Sequence, residues 1–340
     1  MHELVFRVAV VVLAVSLPLW ILLSVAVLGG RARYDRRQRI GPLKPNGRQV
    51  DRLLKRALGR PRTEWGEWRR ISAINRLARM RHPATPHILY HALWDGDPKV
   101  AGAAIRCLGA LGDLWAIELL VAALRGDRVS RSRVAAQLER LYPEPGFLFL
   151  PLLRDPDPAV RFWGATLIAP YEALGEIDLV NLTRDEDPNV RAAAVEALGH
   201  RPGGHAAEAT VALLEDPAWF VRVHAARAAG QVAGVDAAPA IARMLGDERW
   251  WVRTAAKDAL EGLGRAAVPA LVPVLSSPDG FARNGAAEVL QDVGLVDHLA
   301  LEEPQSPLLA RIYEAGGPKL REAAEERTAR ERRIREEKAA

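Results

Sequence analysis

The chain is poor in residues that cross-link or ligate. Among its 340 residues there is one cysteine, Cys107, and three methionines. A single thiol excludes a disulfide framework and a cysteine-built zinc site. Its position within a helical pattern predicts a buried structural thiol. Aromatic residues are scarce at 6%, although nine of them are tryptophan. No alternating apolar pattern marks a strand, so no Gly-x-Ser-x-Gly elbow, P-loop or Gly-x-Gly-x-x-Gly turn follows one. Those absences argue against the common hydrolase, nucleotide-hydrolysing and dinucleotide sites.

What the chain does have is a ladder. Arg70, Arg131, Arg161, Arg191, Arg222, Arg253 and Arg283 recur at one register, with Ala101 in the place of one rung; successive rungs are 30 or 31 residues apart. Regularity of this kind reports stacked copies of one small unit. With the ladder position taken as zero, offset −1 is apolar (Val100, Val160, Val190, Val221, Val252), and Ser130 is its weak member. Offset +3 is small (Ala73, Ala104, Gly164, Ala194, Ala225, Ala256, Ala286) and offset +7 is aliphatic (Leu77, Leu108, Leu198, Leu260, Leu290). These offsets share one helix face. Each copy therefore carries a helix with a single apolar stripe, whose small middle lets two backbones approach.

Helix starts are written in Asp97-Pro98, Asp157-Pro158 and Asp187-Pro188, an N-cap carboxylate followed by a residue that has no N–H to waste. Gly109, Gly199 and Gly230 read as C-terminal stops. A second apolar helix precedes each of these, as in Ile117, Leu120, Val121 and Leu124, and again in Val268, Leu271, Val272 and Leu275. Two helices per unit predict an all-α fold, an α-solenoid in which neighbouring hairpins supply each other's core.

Segments such as Asp187 to Gly199 (DPNVRAAAVEALG) resemble the HEAT-repeat family, specifically the short bacterial type also called PBS-lyase-like HEAT repeats. The resemblance spans about residues 62–292, with about eight hairpins if Arg70 and Ala101 are counted. It implies a fold and says little of activity. It also implies that Asp and Arg of neighbouring repeats pair, which makes the ladder structural first. Some enzymes of the family hold two irons on repeated His-Glu pairs; here the His-Glu dipeptide is His2-Glu3, outside the repeats. Others are tetrapyrrole lyases, the alternative function to set beside a scaffold. No cofactor and no catalytic residue is expected, and the expectation is that the protein is not an enzyme.

The basic charge is concentrated. Residues 31–60 hold eleven Lys/Arg, including Arg31, Arg33, Arg36, Arg37 and Arg39, against Asp35 and Asp51. The chain's net charge is only +5, so the repeats are mildly acidic, the reverse of what a duplex-binding surface needs. No nucleic acid is expected as a partner. Val8 to Leu28 is an uncharged run of 21 residues, long enough to cross about 30 Å of hydrocarbon. The arginines that follow place the C-terminal side in the cytoplasm and the N-terminus outside. A cleaved leader with a small-residue site near Ala26 is the competing reading. The basic segment would be drawn to anionic lipid headgroups.

The resulting expectation is a single-pass protein of the bacterial inner membrane, divided as anchor 1–30, basic juxtamembrane linker 31–60, repeats 61–292, capping helices 293–316 and charged tail 317–340. From Lys319 the tail reads as a solvated helix or a frayed end, Gly316 having stopped the last packed helix. His87, His91 and Asp95 share one helical face but read as ordinary polar positions rather than metal ligands. One constellation stands out: Phe220, Trp251 and Phe281 at offset −2, with Trp219 and Trp250 beside them. Aligned aromatics are candidates for partner binding, or for filling gaps between repeats. The expected function is a membrane-anchored scaffold for protein partners. An integral membrane enzyme, for instance a polysaccharide-synthesising glycosyltransferase, is a partner class that no particular residue specifies.

Overall fold

The computed structural model describes residues 47–61, 63–141, 146–201 and 203–339. The apolar run Val8–Leu28 and the arginines from Arg31 to Arg39 lie outside the described residues. Among the described residues there are helices and no strand, and no single helix is long and apolar enough to cross a membrane. The chain divides into two compact units, one ending at Ile88 and the other beginning at Leu89.

The first unit is built on the helix Gly47–Leu58 packed against the helix Glu64–Arg79. Thr63 starts the second of these, its Oγ1 accepting the Gly66 N–H at 3.2 Å. Leu53 and Ala57 are buried on the first helix and Ile71, Ala73, Ile74, Leu77 and Ala78 on the second. Arg70 is buried as well, and its Nε donates to the Ala57 carbonyl at 3.1 Å. The first ladder arginine thus serves the last turn of a neighbouring helix.

The second unit is a succession of hairpins. Pro158–Ile168, Pro188–Leu198, Trp219–Val232 and Trp250–Gly262 each pack on the next, and Trp250–Gly262 packs on Gly280–Asp292. Val160, Val190, Val221 and Val252 at offset −1 are buried, and so are Ala194, Ala225 and Ala256 at +3 and Leu198, Leu260 and Leu290 at +7. Three N-caps form as the sequence implies, Asp97, Asp157 and Asp187 each accepting the N–H two residues on, and Asp279 adds a fourth. Such caps typically contribute about 1 kcal/mol each. Cys107 is buried.

Three local expectations need correction. Gly109 and Gly230 lie inside their helices rather than after them. A Cβ on Gly109 would fall 2.9 Å from the Gln137 Cβ, and one on Gly230 or Gly199 would fall 3.2 or 3.1 Å from the Cβ of Ala259 or Ala228. These glycines at offset +8 are contact points between successive repeats. The stop after Pro98–Leu111 is instead Gly112, whose φ of 64° suits glycine.

The helix expected from Val268 to Leu275 is not continuous. An α-helical turn, Val268–Leu271, sits between two 3-10 stretches, Gly264–Ala267 and Pro273–Ser276. Pro273 has no N–H to donate back into an α ladder, so the last turn tightens instead.

The tail is neither frayed nor free. The helix that Pro307 opens ends at Gly316 as expected, since Gly317 (φ 73°, ψ −175°) is not helical, but a second helix resumes at Pro318 and runs to Ala339. Leu309 and Ile312 cover the last repeat, and Ala324 and Thr328 are buried beyond the bend. Arg327 pairs with Asp297, Arg335 with Glu302, and Arg332 Nη2 donates to the Ala300 carbonyl at 3.0 Å. The charged residues 319–338 therefore dock on the helix Leu295–Glu302.

Candidate functional site

The ladder arginines are oriented by the helix starts they stand on. Within the second unit three successive rungs repeat one geometry. Arg161 Nε and Nη2 donate to the two oxygens of Asp185 at 2.7 and 2.9 Å. Arg191 meets Asp216 at the same two distances, and Arg222 meets Asp247 at 2.8 and 3.0 Å. In each rung Nη1 turns back to two carbonyls of its own turn, such as Asp185 and Glu186 for Arg191. The guanidinium closes its own turn with one edge and grips the next repeat with the other. Two-pronged pairs of this kind are the strong form of the ion pair.

Electrostatics follow the geometry. The hydrogen bond to Asp185 raises Arg161, and the bond to Asp216 raises Arg191. Burial pushes the Asp185 carboxyl up, but Arg161, the Asp187 N–H and the charge of Arg191 outweigh it, so it stays below the ordinary aspartate value. Asp157 is lowered by the Ala159 N–H and by Arg131. Arg131 reaches Asp157 through Nη2 at 2.6 Å while its Nε serves the Leu124 and Gly126 carbonyls, a one-pronged variant of the rung.

The pattern breaks at Arg253. Its Nη1 still closes its own turn on the Asp247 and Glu248 carbonyls. At the position that Asp247 holds for Arg222, however, the next repeat carries Ser277. The Ser277 Oγ accepts the Asp279 N–H, just as Asp185 accepts that of Asp187. Serine keeps the turn and supplies no carboxylate. The Phe281 ring lies instead over the face of the Arg253 guanidinium, 4.4 Å from its centre. Arg283 likewise closes its own turn, on Ser277 and Pro278. Among the described residues neither Arg253 nor Arg283 forms a salt bridge.

The aromatic candidates separate into two kinds. Phe220 is partly buried and packs on the core, a spacer between repeats. Trp250, Trp251 and Phe281 are 56%, 59% and 66% exposed, and Trp219 is exposed to a lesser degree. Trp250 and Trp251 meet edge to face at 4.7 Å, and Trp219 meets Phe220 at 5.9 Å. The aromatic offset thus opens to solvent where the acidic rung disappears. An open cleft lined by Val211, Leu214, Ala240 and Met244 lies over the Arg222–Asp247 pair, whose charges satisfy each other.

His87 and His91 are exposed, and Asp95 caps its turn by accepting the Asp97 N–H. No cluster able to hold a metal occurs among the described residues.

Two features escaped the sequence reading. In the first unit Trp65 and Trp68 are 67% and 58% exposed and line a groove with Arg56, Arg69 and Arg76. The Arg69 guanidinium lies 5.3 Å from the Trp65 ring. Their spacing of three residues is the signal that places both on one face. In the second unit Arg201 is buried, and its Nη2 donates to the carbonyls of Ile168, Tyr171 and Leu174. Nothing in the 30-residue period marks it, because Arg201 lies off the ladder.

Comparison with known proteins agrees with this architecture. A family model described as HEAT repeats matches residues 53–139 and 176–261. A search of the curated proteins gives no match. Among solved structures, the Kap95:Nup1 complex is 12% identical with a TM-score of 0.51, over 80% of this chain and 49% of that one. The complex of CpcE and CpcF of phycocyanin lyase from Nostoc sp. PCC7120 is 20% identical with a TM-score of 0.37, over 68% and 93%. Human deoxyhypusine hydroxylase in complex with glycerol is 21% identical with a TM-score of 0.30, over 72% and 96%. Of these three only the first overlaps well enough to speak for a shared fold. With its family model matched over half of its length, and hairpins stitched by recurring Arg–Asp pairs, the chain belongs to the HEAT-repeat family.

Proposed function

We propose that the protein is a membrane-anchored scaffold whose repeats hold a protein partner against the cytoplasmic face of the bilayer, and that it is not an enzyme. The observation that carries this reading is the exposure of Trp250, Trp251 and Phe281 at the starts of the helices Trp250–Gly262 and Gly280–Asp292, which pack on each other. Exposed tryptophan and phenylalanine in register supply the anchors from which most interface energy comes. They cost burial free energy if left in water, on the order of 2 kcal/mol for each large apolar side chain.

Membrane attachment rests on Val8–Leu28 and on the arginines 31–39, and places the repeats on the cytoplasmic side. The groove of Trp65 and Trp68 with Arg56, Arg69 and Arg76 has the composition that suits a headgroup region. Tethering confines the repeats to a surface and raises their effective concentration toward any membrane-embedded partner. A membrane-bound enzyme, such as a glycosyltransferase that makes polysaccharide, is the partner class this arrangement would serve.

The test is crosslinking in native membranes followed by purification in mild detergent. The wild-type chain should carry a reproducible companion, and the triple variant Trp250→Ala, Trp251→Ala, Phe281→Ala should lose it with unchanged helicity. No companion for the wild type, or bound pigment absorbing in the visible range, would overturn the scaffold reading.

A further inference from the structure

The ladder carries its own template for a missing ligand. In three rungs the Nε/Nη2 edge of the arginine holds an aspartate of the following repeat with both oxygens, at 2.7–3.0 Å. Arg253 stands in the same register and closes its own turn through Nη1 in the same way, but it faces Ser277. Arg253 is only half-buried, and among the described residues its hydrogen bonds run through Nη1, which leaves the Nε/Nη2 edge unmatched. Phe281 covers the face of the guanidinium and leaves the edge. Arg283 and Arg311 converge on the same turn, donating to the Ser277 carbonyl at 2.7 Å and the Ser276 Oγ at 2.9 Å. The carboxylate of that turn, Asp279, uses Oδ1 on the Phe281 N–H.

We infer that this open rung is a recognition site for an acidic peptide segment of a partner protein, whose aspartate or glutamate takes the place an intramolecular Asp holds in the rungs before it. The edge geometry selects a planar carboxylate, because the neighbouring rungs show that ligand in the same frame. Trp250, Trp251 and Phe281 beside it would receive the apolar residues flanking the acid. The inference rests on the scaffold reading and specifies the chemistry of its partner: a short segment carrying one acid between apolar side chains, docked as an extra rung.

Ser277→Asp gives the decisive test, since it completes the ladder from within. The probe is a fluorescein-labelled peptide copying Val211 to Phe220, the segment that presents Asp216 to Arg191, with Glu215 replaced by glutamine so that one acid remains, followed by fluorescence anisotropy with the full-length protein in detergent. Ser277→Asp should raise the thermal midpoint, because Arg253 gains a partner. It should also weaken peptide binding by at least about tenfold, the worth of one charge-assisted pair. Replacing the peptide's aspartate by asparagine should weaken binding to the wild type equally.

Should Ser277→Asp misfold, Arg253→Lys serves instead, keeping the charge and losing the two-pronged edge. Undiminished binding in these variants, no binding at millimolar peptide, or displacement of the peptide by phosphatidylglycerol vesicles would overturn the inference. Companions crosslinked in native membranes that persist in Ser277→Asp would overturn it while leaving the scaffold reading intact. Absence of any companion in the wild type would instead strike the scaffold reading itself.

Discussion

Arg191 and Asp216, twenty-five residues apart in sequence, meet in a two-pronged ion pair in which the side chains are only 13% and 3% exposed. Both oxygens of Asp216 are used, and one also accepts the Ala218 N–H just before the helix Trp219–Val232. The same carboxylate thus braces the turn that leads into one helix and clasps the previous repeat. Asp216→Ala should lower stability by about 3 kcal/mol, since it strands a guanidinium with little access to water. The double replacement Arg191→Met, Asp216→Leu should recover part of that loss. Urea unfolding followed by circular dichroism measures both.

Acid should loosen the stack through the same ladder. The folded values of Asp157 and Asp185 lie below the ordinary aspartate value of 3.8. A lowered carboxyl contributes stability that is present above the unfolded value and is lost as pH falls through the folded one. The urea midpoint should therefore hold above pH 4 or about that value and drop below it. Asp185→Asn should be less stable at neutral pH and show a shallower drop on acidification.

Two glycines test how close the hairpins come. A Cβ on Gly164 would lie 2.8 Å from the Leu152 Cβ and 3.1 Å from the Leu153 backbone nitrogen. Backbone cannot step aside, so Gly164→Ala should cost about 1–3 kcal/mol. A Cβ on Gly262, near the end of its helix, meets nothing within 4 Å, so Gly262→Ala should stabilise by about 0.5 kcal/mol. Thermal midpoints of the two variants should move in opposite directions.

Arg201 is a buried cation held by carbonyls rather than by a carboxylate. Burial lowers its pKa, with Glu172 and Glu176 partly offsetting that. Arg201→Ala would leave the Leu174 carbonyl without its donor, while those of Ile168 and Tyr171 keep the N–H groups of Tyr171 and Leu174, and should destabilise by about 2 kcal/mol. Arg201→Lys, which lacks the planar fork, should recover only part of this in the same unfolding assay.

The groove of the first unit makes a membrane prediction. Trp65→Ala with Trp68→Ala should reduce cosedimentation of the segment 47–340, which omits the apolar run Val8–Leu28, with vesicles containing phosphatidylglycerol. High salt should weaken what remains, because Arg56, Arg69 and Arg76 act through screened charge.

The repeat was legible because one residue type recurs at one offset. Val190, Ala194 and Leu198 declare a helix face directly, and Asp187-Pro188 declares its start. Gly109 and Gly230 misled because a glycine near a helix end reads alike as a stop or as a contact, and only the neighbouring repeat decides which. The tail misled because its buried side is made of Ala324 and Thr328, too small to register as an apolar stripe, while its arginines find partners on another helix. The break at Arg253 is written in the sequence, as Ser277 in an aspartate's place. It becomes legible only once Arg161, Arg191 and Arg222 reveal what that place is for.

The most direct test of the scaffold account places a photo-reactive phenylalanine analogue at Trp251 or Phe281 of the full-length protein in native membranes, with exposed Asp258 as the control site. The account predicts light-dependent adducts of one discrete mass at the two aromatic positions and none at Asp258. Equal labelling at all three sites, or no adduct at the aromatic ones, would contradict it.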